Sequence, residues 1–322
     1  MDDFISAIML TYNRENYVAT AIESILSQTY RNFELILVDN GSTDRSGKIC
    51  DEYAKKDARI KVMHASRGSI GYGRNLGISM AKGDYITFID DDDVAYPEMF
   101  KLLVDLITSG NYDISTCGSH RNVDGVLSDK YAFDGLRVLE GEQGVKELLN
   151  RELYNSSNPT KLFRRYLLDT IRYEEKGKYD DIAVLYKIFA EAKTVIASGQ
   201  PQYCFYRHKS NNSIFTTNSK LLSPSQLEEY FQAFSIRTQY LTQRFPKEQQ
   251  FFKYTEWSYL LSMYCKIREN NLTNCEKQSR YIQDVLVRGF DDFYNNPYIK
   301  TEEINVLSKL SVLARKGLKN EL

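Results

Sequence analysis

Glu34-Leu35-Ile36-Leu37-Val38-Asp39-Asn40-Gly41-Ser42-Thr43-Asp44 is the stretch that decides the fold. Its run Leu35 to Val38 is apolar without interruption, the mark of a short strand buried on both faces. The run stops at Asp39-Asn40-Gly41, residue types that favour a turn. Ser42 then stands where a helix N-cap belongs, with Asp44 in the expected first turn and helical spacing through about Tyr53. Asp39 holds the strand tip. Its carboxylate there either accepts from a base or ribose donor or serves the turn itself.

The same alternation extends in both directions. Ile5 to Leu10 is a second apolar run, and Val18, Ala21, Ile22, Ile25 and Leu26 follow at helical spacing. Ile60 to Met63 reads as a strand, Gly71 to Ala81 as a weaker helix, and Tyr85 to Ile89 as a fourth strand. Pro97 opens a helix to about Ile107, and Tyr112 to Cys117 is a further strand. The β-α-β-α-β-α-β order predicts an α/β fold, a mostly parallel sheet with helices on both faces. Ligands of such sheets bind beyond the carboxyl ends of the strands, which selects the segments after Leu10, Val38 and Ile89.

From Asp124 to Tyr179 the pattern weakens, with a short helix near Gln143 to Asn150 and an apolar-basic stretch, Lys161-Leu162-Phe163-Arg164-Arg165. Ile182 to Ala192 is amphipathic and helical, and Gln202 to Tyr206 reads as a strand. After about Phe215 the character changes. Segments 224–244, 247–269, 274–288 and 301–316 have helical periodicity and no strand signal. The expected organisation is an α/β catalytic domain over 1–218 and a helical domain over 219–322.

Composition narrows the function classes. The 322 residues are 42% hydrophobic and 26% charged, ordinary globular usage with ample core. Lys plus Arg number 42 against 43 Asp plus Glu, so no bulk positive charge draws nucleic acid. No apolar run approaches the roughly 18 residues of a membrane span. The acidic start, Met1-Asp2-Asp3, is not that of a secretory signal. Five scattered cysteines form no CxxC pair, which argues against a disulfide framework or structural zinc and for a reduced, cytoplasmic setting. The 24 tyrosines suit sugar-stacking surfaces and ordinary packing alike.

The strand ends carry the chemistry. Thr11-Tyr12-Asn13-Arg14 offers an aromatic face and small polar groups, with no Gly-x-Gly-x-x-Gly turn for a dinucleotide. Phe88-Ile89-Asp90-Asp91-Asp92-Asp93 places four carboxylates at a buried strand's end, where like charges repel unless a cation joins them. Such oxygens suit Mg²⁺ or Mn²⁺ shared with substrate phosphates. In an extended segment Asp90 and Asp92 face the same side. The plain alternative is a solvated acidic loop before Pro97. In Lys178-Tyr179-Asp180-Asp181, Asp181 is either an N-cap or a general base. In Tyr206-Arg207-His208, Arg207 is a candidate diphosphate contact and His208 a candidate metal ligand. His64 and His120 have no supporting context.

Taken together these motifs resemble family 2 of the inverting glycosyltransferases, which have the Rossmann-like GT-A fold. The resemblance rests on Thr11-Tyr12-Asn13 with Tyr17, Ser24 to Tyr30, Glu34 to Asp44, Gly73-Arg74-Asn75-Leu76-Gly77, Gly83-Asp84-Tyr85-Ile86, Phe88 to Asp93 and Pro97. It covers the first 110 residues well and extends more loosely, through Tyr179-Asp180-Asp181 and Tyr206-Arg207-His208, to about 215. Bacterial enzymes that build capsule, exopolysaccharide, teichoic acid or adhesin glycans look like this. The resemblance implies a UDP-sugar donor, a Mn²⁺ or Mg²⁺ cofactor, and a glycan acceptor on lipid or protein. Thr11, Tyr12 and Asn13 would line the nucleotide pocket, Asp39 would bind uracil or ribose, and Arg74 would lie near the base or diphosphate. Asp90 and Asp92 match the Asp-x-Asp motif, as ribose or metal contact and as metal ligand, with Asp91 beside them. Arg207 and His208 would complete the diphosphate and metal site. The later acidic pair is usually Glu-Asp and here is Asp180-Asp181, with Asp181 favoured as base. Asn40 stands where the family more often has a second Asp.

The loop 120–135 is a candidate lid over the donor. In the tail, Ile304, Leu307, Leu310, Leu313 and Ala314 form an apolar stripe followed by Arg315, Lys316 and Lys319. It either packs or forms a homodimer, or lies peripherally on the inner face of the cell membrane. Two other functions fit less well: a non-catalytic nucleotide-sugar or glycan-binding protein, and a sugar nucleotidyltransferase, which would need a glycine-rich basic loop after the first strand.

Overall fold

The computed structural model describes residues 3–177, 180–208, 211 and 218–318, with 311–318 described by backbone alone. The chain divides into two compact units, Met1–His208 and Lys209–Leu322.

The first unit is built on a mixed sheet. Strands β1 (Ile5–Thr11), β2 (Phe33–Asp39), β3 (Ile60–His64) and β4 (Tyr85–Asp90) are parallel and lie in the order β3-β2-β1-β4. β2 is buried along its whole length, Glu34 and Asp39 included, with the apolar run Leu35 to Val38 at its centre. The register aligns Thr11 with Asp39, Asp39 with His64, and Leu10 with Asp90. Four strands therefore release their chains at one edge, and their last polar residues are neighbours.

Helices α1 (Val18–Leu26), α2 (Ser46–Ala54) and α4 (Met99–Ser109) bury Val18, Ile22, Cys50, Phe100 and Leu103 in one core with Met9, Leu35 and Leu37. Helix α3 (Ile70–Met80) lies against β1 and β2. Its apolar stripe is weak in the sequence because it approaches through glycine. A Cβ at Gly77 would come within 2.4 Å of Ile8 Cγ2.

The sheet departs from the mostly parallel expectation beyond β4. There β9 (Lys161–Arg164) joins antiparallel, followed by β6 (Ile114–Val123), by β10 (Thr194–Arg207) parallel to β6, and by the short β5 (Val94–Ala95). The apolar-basic stretch at 161–165 is thus a central strand. β10 is far longer than the expected 202–206 because its register with β6 shifts between Ala197, Pro201 and Tyr203, which breaks the sequence period.

Most of the expected lid loop at 120–135 is a hairpin, with only 131–135 irregular before the strand β8 (Leu136–Glu140). β6 runs into this segment and turns at Asp124 and Gly125, both with positive φ, into the antiparallel β7 (Val126–Lys130). Helix α2 also starts later than expected. Ser42 caps nothing; Ser46 opens the helix, and Asp44 Oδ1 accepts from its amide.

In the second unit, four helices, Pro224–Arg244, Gln249–Glu269, Glu276–Arg288 and Thr301–Leu318, match the expected segments closely. Ser223 and Gln226 form a capping box around Pro224 at the start of the first of these helices. Leu307 and Leu310 of the tail stripe are buried in this unit's own core with Leu260, Ile282 and Leu286. The side chains of Leu313, Ala314, Arg315 and Lys316, and all of Lys319, lie outside the described residues. Among the described residues no helix is long and apolar enough to cross a membrane.

Candidate active site

The loops after β1 and β2 are stitched together. Asn13 has a φ of 52°, its amide donates to Ser42 Oγ, and its Oδ1 accepts from the Thr43 amide. The Arg14 amide donates to Ser46 Oγ. Asn13 is thereby committed to holding the strand-end edge in shape. Thr11 is buried beside Asp91, and the Arg67 guanidinium lies 3.5 Å over the Tyr12 ring.

Asp39 is buried and oriented by the protein. Its Oδ1 accepts from the Ser42 amide at 2.9 Å, and its Oδ2 meets His64 Nδ1 at 3.0 Å. His64 Nε2 meets Asp51 at 3.0 Å. A Cβ at Gly47 would come within 2.5 Å of Asp39 Oδ2, so glycine is what lets this carboxylate sit against α2. The sequence reading gave His64 no context, yet His64 ends β3 in register with Asp39, a signal available once the strands are aligned.

Hydrogen bonds to Asp39 and Asp51 raise the His64 pKa. Because the native value lies above the unfolded one of about 6.5, the stabilisation is complete below that pH. It fades as pH rises through the raised value. Melting temperature measured against pH should fall across that window in the wild type and stay flatter in His64→Gln.

Asn40 explains its departure from the commoner Asp. Its Nδ2 donates to the Gly68 carbonyl at 3.1 Å while its Oδ1 accepts from the Gly68 amide at 3.0 Å. An ionised Asp could only accept.

Asp90 ends β4, and the chain then turns, so the extended geometry expected for Asp90 and Asp92 does not hold. The two carboxylates face different cations. Asp90 lies 3.9 Å from Arg74 Nη2, whereas Asp92 lies 3.6 Å from Arg14 Nε and 3.1 Å from His208 Nε2. Asp91 also faces Arg14, at 3.7 Å. The His208 ring stacks on Tyr17 with centroids 4.1 Å apart. Asp93 is buried and accepts from the Tyr206 amide. Arg207, the last residue of β10, helps to balance the charge of Asp90.

Burial first, and then the charge of Asp92, push Asp91 up to about 7, against Thr11 and Arg14. Asp93 is raised by burial and by Asp90 and Asp92. Carboxylates crowded this way are an electrostatic demand for positive charge. Oxygen donors with one imidazole fit a hard divalent cation, and Asp92 with His208 is the pair already in contact. Among the described residues no three His, Cys, Asp or Glu groups gather as a complete ligand set, so the expected trio of Asp90, Asp92 and His208 is not assembled.

After α5 (Glu142–Asn150) and α6 (Tyr166–Thr170), helix α7 (Asp180–Glu191) begins at the acidic pair, so both residues lie in its first turn, and Asp181 is not the cap. Tyr179, the preceding residue, lies outside the described residues. The side chains of Arg74 and Asp180 are only 10% and 9% exposed and pair at 2.9 Å through Nε. Arg74 Nη1 also reaches Asp181 Oδ1 at 3.1 Å, and the Asp181 side chain is 25% exposed. Arg74, expected beside the base or diphosphate, thus faces three carboxylates, joining the end of β4 to the start of α7. Burial raises Asp180 to about 7, with Arg74 opposing and Asp181 adding to the shift.

Three groups that sequence reasoning missed line this region. Lys161 is fully buried, as is Asn158, and Tyr173 packs its ring edge against Phe88.

Comparison with known proteins gives the frame for this geometry. Residues 6–172 match the family model "Glycosyl transferase family 2". The chain is similar to "Glycosyltransferase GlyG" of Streptococcus pneumoniae, 33% identical over 241 residues, which cover 72% of this chain and 79% of that protein. Among solved structures, TarS 1-349 of S. aureus in complex with UDP-GlcNAc has a TM-score of 0.70 at 19% identity, covering 98% of this chain and 92% of that one. The mannosyltransferase PcManGT of Pyrobaculum calidifontis, in complex with GDP-Man and Mn²⁺, has a TM-score of 0.56 at 13% identity, covering 99% and 88%.

Proposed function

This chain belongs to glycosyl transferase family 2 and transfers a sugar from a nucleotide-sugar donor, and we propose that the donor is a UDP-hexose, that a divalent cation assists, and that Asp181 is the general base. The observation that carries this reading is the convergence of Asp39, Asp90 to Asp92 and Asp181 on one edge of the sheet, with Arg74 tying the last strand end to the helix start.

In this reading Thr11 and Tyr12 line the nucleotide pocket, and Arg67 over Tyr12 stiffens its aromatic wall. Asp39, fixed by His64 and the Ser42 amide, accepts from the uracil or ribose. Arg14 and Arg207 offset negative charge where the diphosphate lies. Asp92 and His208 would hold Mn²⁺ or Mg²⁺, which when bound supplies charge neutralisation for the departing diphosphate. Asp181 takes the proton from the acceptor hydroxyl as that oxygen attacks the anomeric carbon. The attack is in line, so an α-linked donor gives a β-linked product. The acceptor is a glycan hydroxyl, carried on lipid or protein. The hexose is glucose, galactose or an N-acetylhexosamine.

Calorimetric titration of UDP, with and without Mn²⁺, tests the donor half. Wild type should bind UDP more tightly with Mn²⁺, and Asp92→Ala should lose that gain. Asp39→Ala should weaken binding roughly 10- to 100-fold, as expected for a lost hydrogen bond to a charged group. Binding of GDP in preference to UDP, or equal UDP affinity in all three proteins, would contradict the assignment.

A further inference from the structure

Asp181 has neighbours that its proposed role requires and that the motifs do not contain. Asn158 is completely buried, and its Nδ2 donates to Asp181 Oδ1 while its Oδ1 accepts from the Tyr173 hydroxyl. The polarity of this chain is fixed from one end. An ionised carboxylate only accepts, so Asn158 must turn its amide nitrogen to Asp181. Its oxygen is then left for Tyr173, whose hydroxyl must donate.

Each member is itself held. Tyr173 exchanges both backbone hydrogen bonds with the Asn75 side chain, each at 2.9 Å. Asn75 follows Arg74 on α3, so the phenol and the guanidinium that both serve Asp181 hang from adjacent residues of one helix. The loop carrying Asn158 is gathered by Lys161. Its buried Nζ donates to Asn155 Oδ1 at 2.6 Å, to the Ser157 carbonyl at 2.7 Å and to the Pro159 carbonyl at 3.4 Å. Three oxygens are what one ammonium can satisfy. Its burial on these partners makes Lys161 the anchor of residues 155–160.

Arg74 and Asn158 both approach Asp181 at Oδ1, and among the described residues no hydrogen bond or ion pair is made by Oδ2. Oδ1 is pinned by these two groups, and Oδ2 is the oxygen that this reading leaves for the proton. We propose that Asn158, oriented by Tyr173 and anchored through Lys161, is a positioning residue that holds Asp181 with Oδ2 presented to the acceptor hydroxyl. This rests on the reading of Asp181 as the base. A carboxylate free to rotate would lose the near-attack geometry, and misplacement of about 1 Å costs on the order of 100-fold.

The test measures UDP release from the donor, with water or glycan as acceptor, for Tyr173→Phe, Asn158→Ala, the double variant and Asp181→Asn. Tyr173→Phe removes one oxygen from a packed ring and is the variant expected to fold normally. Both single variants should lower kcat roughly 10- to 100-fold, with donor KM and UDP affinity within about twofold of wild type. Because Tyr173 acts through Asn158, the double variant should be no slower than Asn158→Ala alone. Unchanged kcat in Tyr173→Phe, multiplying losses in the double variant, or losses that track UDP affinity would overturn the inference. Full activity in Asp181→Asn would instead overturn the base assignment, and the positioning role with it. Loss in Asp181→Asn with none in the other variants overturns the positioning role alone.

Discussion

Replacing Asp181 by Asn is expected to lower UDP release from the donor by about 10²- to 10⁴-fold, the usual contribution of a positioned general base. UDP affinity should stay close to that of wild type. The amide keeps the shape of the carboxylate, so Arg74 Nη1 and Asn158 still meet an oxygen at the Oδ1 position. The capacity to take a proton is removed together with one negative charge, and Asp180 and Asp90 still face Arg74. Asp180 cannot substitute, because its carboxylate is buried against Arg74 Nε, whereas Asp181 is the more open of the two. A non-catalytic sugar-nucleotide binder would show no difference between wild type and variant. A fall in UDP affinity parallel to the fall in rate would place Asp181 in the donor pocket instead. Single-turnover measurements with UDP titration separate these outcomes.

Arg74→Met should be the most destabilising single change in the first unit. Arg74 and Asp180 are nearly buried, and the same guanidinium faces Asp181 and lies near Asp90. Removing one partner from a buried ion pair leaves an uncompensated charge, at a cost of about 3–5 kcal/mol. Here one cation leaves several carboxylates behind, and the remaining ones must protonate or rearrange. For a unit of this size that corresponds to a fall in melting temperature of roughly 10 °C. Thermal unfolding of the full chain checks it. A second substitution, Asp180→Leu, should recover part of the loss by removing the stranded charge. A change below about 1 kcal/mol in Arg74→Met would mean that these carboxylates are solvated rather than balanced by the arginine.

Much of the architecture was legible because its signals are local. The run Leu35 to Val38 had to be a buried strand, and its parallel direction beside Ile5 to Thr11 followed from the β-α-β order. The helical segments of the second unit matched their expected extents, and Ser223 with Pro224 marks one start chemically. What escaped was non-local. Lys161-Leu162-Phe163-Arg164 gives no strand pattern, since a buried lysine at one end and a half-covered arginine at the other disguise a central strand. The bulged register of β10 hid its first half, and the Asp124-Gly125 turn was read as loop rather than hairpin.

The site divides in the same way. Asp39, the acidic run after Phe88, Asp180-Asp181 and His208 were visible as types that are costly to place at strand ends or helix starts without a purpose. Their partners were not. Arg14 joins Asp91 and Asp92 across the sheet edge, and His64 reaches Asp39 from the neighbouring strand. Asn158 reaches Asp181 from a loop 23 residues earlier. Such pairs are set by register and loop closure, which no spacing within one segment encodes. The turn after Asp90 is a further case, because the Asp-x-Asp spacing implied a shared face that the backbone does not provide.

The most direct test of the account is a donor panel. UDP release would be followed from UDP-glucose, UDP-galactose and the UDP-N-acetylhexosamines, each with Mn²⁺, with Mg²⁺ and with chelator, for wild type and Asp92→Ala. The account predicts slow, metal-dependent hydrolysis of one donor, abolished by chelator and by the substitution. Equal release from wild type and Asp92→Ala, or turnover undiminished by chelator, would contradict it.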